Sequence, residues 1–133
     1  MGNKVVARYR DGRVVKGFTQ DFLPNRQVFH LAPEEGPMAG RPVLVELAAL
    51  KAVFFVKDLR GDPRRVERME FDPAKPVIGK KVRVVFSDGE VMLGTTHGYQ
   101  PGRPGFFLAP ADPESNADRC FVVTAATRAI ELL

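Results

Sequence analysis

The groups able to carry nucleophilic or proton-transfer chemistry near neutral pH are few: His30, His97, Ser87, Ser115 and Cys120. Acyl transfer or hydrolysis needs a nucleophile and a base within hydrogen-bond reach of each other. Neither serine lies in a Gly-x-Ser-x-Gly elbow, and Ser87 directly precedes Asp88-Gly89, where a hydroxyl bonds nearby backbone in a turn. Cys120 opens an apolar run with no lysine or histidine beside it, which reads as a buried, inert thiol. As the only cysteine it can form neither an internal disulfide nor a multi-thiol metal site. His30 falls on a strand and His97 at a strand end, with no carboxylate cluster beside either in sequence. These spacings predict no catalytic residue, no metal site and no cofactor, hence a protein that is not an enzyme.

Two further runs imitate ligand sites. From Asp112 to Asp118 oxygen-bearing side chains alternate as in a calcium loop, yet Ala117 stands where such loops need glycine and Val123 where they need glutamate. An Asx-rich turn is the expectation. Gly98, Gly102 and Gly105 surround Arg103, but no Gly-Lys-Ser/Thr follows, so a flexible loop is expected there. Charge offers the remaining candidates. Arg8, Arg10, Arg13 and Lys16 cluster early and could meet phosphates nonspecifically, although a solvated sheet face is the plainer reading. Arg60, Arg64, Arg65 and Arg68 form a second basic group that could take a nucleotide-type anion.

The elements carrying these residues follow from a repeat. Shifting the 133-residue sequence by 77 positions aligns residues 4–56 with 81–133 without a gap, and 17 of the 53 pairs are identical. Random pairing would match about one in fifteen. The organisation is therefore a first unit over residues 1–56, a linker over 57–80 and a second unit over 81–133. Their net charges are +3, +2 and −1 for residues 4–56, 57–80 and 81–133. The longest apolar stretch, Val43 to Val56, contains Glu46 and Lys51 and is too short to cross about 30 Å of hydrocarbon, so no membrane partner is expected. The opening residues lack the apolar core of a secretory signal, which makes the cytoplasm the expected location.

Within each unit Val5, Ala7 and Tyr9, or Val82, Val84 and Phe86, alternate as half-buried strands do. Asp11-Gly12 and Asp88-Gly89 predict hairpins. Gly17 and Gly94 interrupt the second strands, where a missing side chain allows a bend. Third strands are expected at 29–31 and 106–108, fourth at 43–47 and 120–124, and fifth at 53–56 and around Ile130. A tight turn at 48–50 and 125–127 is preferred over one helix from Val43 to Val56. In the linker, Asp62 and Pro63 predict the start of a short helix reaching about Met69. The expected fold is all-β: two tandem five-stranded small barrels, each around its own apolar centre, with mutual packing between them.

This order resembles the SH3-like and Sm-like small barrels. The run Gly17-Phe18-Thr19-Gln20-Asp21-Phe22-Leu23-Pro24-Asn25 is similar to the first Sm motif, and the resemblance implies a base pocket at Asp21 and Asn25. In the second unit Gly98 and Gly102 occupy those places. The strings at 50–56 and 105–116 also resemble a bacterial domain family of unknown function, some of whose members occur near cyclic-dinucleotide domains of the PilZ type. Arg64 and Arg68 have the Arg-x-x-x-Arg spacing of such domains, without the partner motif downstream. The expected function is a binding or adaptor module acting through strand edges and loops, on a protein partner or by self-association, with nucleic acid as a further partner. A sensor of a nucleotide-type anion at the linker arginines is the alternative.

Overall fold

Alternating burial of Val5 and Ala7, and of Val82, Val84 and Phe86, gives each half a strand with one apolar face, and such a face must be covered. A computed structural model describes residues 2–62, 64–74 and 76–133, and in it the covering is done by further antiparallel strands. The first half holds β1 (Asn3–Tyr9), β2 (Val14–Thr19), β3 (Val28–Pro33), β4 (Val43–Glu46) and β5 (Leu50–Val56). The second holds β6 (Lys80–Phe86), β7 (Val91–Thr96), β8 (Gly105–Pro110), β9 (Ala117–Val123) and β10 (Thr127–Leu132). Single 3₁₀ turns, Leu47–Ala49 and Thr124–Ala126, precede β5 and β10. The alanines thus make one turn rather than a helix, and β5 starts at Leu50, three residues before the expected Val53.

All ten strands belong to one sheet, ordered β10-β6-β7-β8-β9-β5-β1-β2-β3-β4. Each half contributes the same sequence of neighbours, β5-β1-β2-β3-β4 and β10-β6-β7-β8-β9. The halves are joined where β5 pairs with β9, bringing Ala52 opposite Val122, Val53 opposite Phe121 and Phe54 opposite Cys120. The sheet is open, with β10 and β4 as its two ends. Among the described residues separate apolar centres do not form either. One buried cluster runs from Val5, Leu31 and Val53 through Phe121 to Val82 and Leu108, because β5 and β9 lie side by side and their core faces merge.

Main-chain hydrogen bonds recur 77 residues apart. Leu47 N donates to Gln27 O as Thr124 N does to Pro104 O, and Arg10 N donates to Ala49 O as Ser87 N does to Ala126 O. Gly12 and Gly89 turn the first hairpins at φ 97° and 94°, a region costly for a side-chain-bearing residue. Gly94 is required for another reason. A Cβ there would lie 2.2 Å from the carbonyl oxygen of Ala109 on the paired strand, and Gly17 has the same relation to Ala32. Backbone cannot swing aside as a side chain can, so Gly94→Ala forces β7 from β8. The expected destabilisation is about 1–3 kcal/mol in urea unfolding, and an unchanged midpoint would show that the close approach is dispensable.

The linker differs from expectation. Pro63 lies outside the described residues, and from Arg64 to Phe71 the chain is irregular rather than helical. The cause is competition for its backbone. Arg68 N donates to the Asp112 carboxylate at 2.8 Å and the Arg65 guanidinium pairs with the same group, contacts that draw the segment onto the β8–β9 loop. Asn116 extends the docking by accepting from Asp58 N and donating to Asp58 O. Among the described residues no helix is long and apolar enough to cross a membrane.

Candidate interaction surfaces

Two of the groups weighed for chemistry, Cys120 and His30, have structural roles. Cys120 is fully buried opposite Phe54 and Leu108, and burial pushes its thiol well above the ordinary range. His30 Nδ1 lies 2.7 Å from Asp21 Oδ2, while Asp21 Oδ1 accepts from His30 N at 2.8 Å and from Thr19 Oγ1. Partial burial raises the Asp21 carboxyl, but these His30 contacts outweigh it and leave it below its ordinary value. Asp21 therefore ties the end of β2 to β3. In the second half Thr96 Oγ1 repeats the Thr19 contact by donating to Phe107 O, with Gly98 where Asp21 would be.

The proposed base-pocket pair is divided between environments. Asn25 lines a cavity of about 660 Å³ with His97, Arg103, Phe107 and Arg119, and Asp21 is not among its lining residues. Arg119 lies over both Phe55 and Phe107, 4.4 Å from each ring centroid, which stitches β9 to β5 and β8 through cation–π attraction. The early basic group is also spread out. Arg8 and Lys16 line a groove of about 650 Å³ with Phe54, Leu59 and Met69, whereas Arg13 turns back onto Asp11 and the Tyr9 ring. Arg8 faces Glu90 at 3.8 Å, and Arg10 is exposed beyond the end of β1. Three of the four linker arginines face a carboxylate each: Arg64 faces Asp62 at 3.7 Å, Arg65 holds Asp112, and Arg68 is 3.9 Å from Glu70, while Arg60 lines the same groove as Arg8.

Sequence reading missed the groups that make the junction. Lys51, only 8% exposed, places Nζ 2.7 Å from Asp88 Oδ2 and 2.5 Å from Glu90 Oε1, with the Phe86 ring 4.7 Å away. Burial disfavours its charge, and Asp88 and Glu90 more than offset that, so the ammonium is held above its ordinary pKa. Its one available signal was being the single charge within Leu50–Val56. Phe22, from the β2–β3 loop, crosses the junction to meet Phe55, Phe107 and Phe121 with ring centroids 5.1–6.1 Å apart.

Two of the exposed apolar side chains lie on the strands at the two ends of the sheet. Leu44 on β4 is 55% exposed and Leu132 on β10 is 52% exposed, and each sits on a strand with one neighbour only. A family model described as a family of unknown function, DUF6982, matches residues 1–133. The chain belongs to that family. No curated protein and no solved structure matches it. For this DUF6982 chain the surfaces themselves must therefore carry the functional reading. A strand paired on one side only offers a row of free main-chain donors and acceptors on the other, and DUF6982 residues Leu44 and Leu132 add apolar surface beside those rows.

Proposed function

We propose that the chain is a non-enzymatic binding and adaptor module that recruits protein strands through β4 and β10. In this reading its halves are small barrel-like units of the SH3-like or Sm-like kind, descended from one duplicated piece. The repeated neighbour order and the hydrogen bonds recurring 77 residues apart support the duplication. The observation that carries the reading is the pair of open edges, each bearing a half-exposed leucine. Edge strands of this kind are normally blunted by charge, proline or a covering loop, and they bind by adding a strand. The engagement of His30 by Asp21 and the burial of Cys120 support a binding rather than a chemical role.

Photo-crosslinking in cells tests this. A crosslinkable side chain at position 44 or 132 is expected to yield protein adducts, while one at Val66, an exposed linker position, yields few. Equal yields at all three positions, or none at the edges, would refute edge recruitment.

A further inference from the structure

We infer that the partner of each free edge is a second copy of this chain, with β10 of one copy adding to β4 of the next. This rests on the edge-binding reading above and names its occupant. The template is inside the molecule. At the 77-residue offset β5 corresponds to β10 and β9 to β4, so the strands joined within the chain are the counterparts of the two left open. Transferring the β5·β9 register places Ala129 opposite Val45, Ile130 opposite Leu44 and Glu131 opposite Val43 of the neighbouring copy.

Exposure points the same way. Phe121 and Phe55 are 0% and 6% exposed because the internal junction covers them. Their counterparts are Leu44 and Leu132, the residues left half-exposed at the open edges. Apolar character has been kept at positions that are buried only if the junction is made. Charge is partly kept as well. Arg128 stands where Lys51 does and Asp11 where Asp88 does, so one ion pair keeps its sign, whereas Arg13 replaces Glu90 and the second pair is not reproduced. Both junctions join the +3 half to the −1 half.

Such a contact is heterologous, because β4 and β10 are different surfaces, and it closes into a ring when the rotation between units permits. Corresponding loops of the halves already line one cavity of about 840 Å³, to which Arg26 and Arg103, Leu47 and Thr124, and Ala48 and Ala125 all contribute. Corresponding points that lie close together lie near the axis relating them. Repeated addition therefore wraps copies around that axis.

The test is mass by light scattering on the full chain. Wild type is expected at a multiple of 14.7 kDa. Leu44→Lys blocks β4 and leaves β10 intact, and Leu132→Lys does the reverse, so each variant alone runs as one copy. Their equimolar mixture, with one competent junction, gains mass to two copies and stops. Both positions are exposed, so circular dichroism should show native folding, and Leu44→Asn or Leu132→Asn replaces any lysine variant that melts early. A wild type that stays at one copy, a single variant that still self-associates, or a mixture that gains no mass overturns the inference. If wild type stays at one copy while edge crosslinks to other proteins persist, self-assembly falls and edge recruitment stands.

Discussion

Phe121→Ala is expected to destabilise the chain by about 3–5 kcal/mol, a large share of the roughly 5–15 kcal/mol that holds a domain folded. The side chain is wholly buried on β9, between Val53 of β5 and Phe107 of β8. Its ring lies 5.1 Å from those of Phe22 and Phe107, one from each half. Truncation thus opens a cavity where the apolar surfaces of both halves meet, and Gly105, pressed against the ring, loses its packing partner. Urea unfolding followed by circular dichroism should show the midpoint fall. Because Phe121 couples the halves, a single transition in wild type should broaden or split in the variant. Leu44→Ala, at the corresponding position of the other half, should cost under about 0.5 kcal/mol in the dispersed chain. A Phe121→Ala loss below about 1 kcal/mol would mean that the halves do not share a core.

Local chemistry was legible in the sequence where local physics decides it. Asp11-Gly12 and Asp88-Gly89 specify turns whose glycines take the positive φ expected of them, and Val5, Ala7, Val82 and Val84 go inward as alternation requires. The alanine turns were readable because the flanking residues are β-branched or aromatic. Longer-range pairings were not. Mutual packing of the units was expected, but main-chain edges carry no side-chain signature of which edge pairs with which, so β5·β9 could not be singled out. Lys51 finds Asp88 and Glu90 37 and 39 residues away, a relation set by that pairing alone. β9 begins at Ala117 rather than Cys120 because β5 pairs with it along nearly its full length. The linker helix fails for a similar reason, since the Asp112 carboxylate takes the Arg68 amide and the Arg65 guanidinium from a distant loop.

That same carboxylate carries the second large effect. Asp112 has a fully buried side chain, and Oδ1 accepts from Glu114 N at 2.9 Å while Oδ2 accepts from Arg68 N and from the Arg65 guanidinium. Burial pushes the carboxyl up, but the amides of Arg68 and Glu114 and the Arg65 charge outweigh it and hold the pKa at about 2. Asp112→Asn keeps the shape and turns an acceptor into a donor facing donors. At neutral pH it should cost about 3 kcal/mol and release the linker from the β8–β9 loop. The pH dependence gives an independent check. Because the folded value lies below the unfolded 3.8, the carboxylate contributes fully above pH 3.8, and its contribution is lost as pH falls toward about 2. That contribution is about 2 kcal/mol, so the gap between wild type and Asp112→Asn should shrink by about that amount on acidification. Asp11, Asp21 and Asp88 are also held below their ordinary values, but they are common to both proteins and cancel in the difference. Urea midpoints that stay equally separated from pH 7 to pH 2 would show that Asp112 does not anchor the linker by its charge.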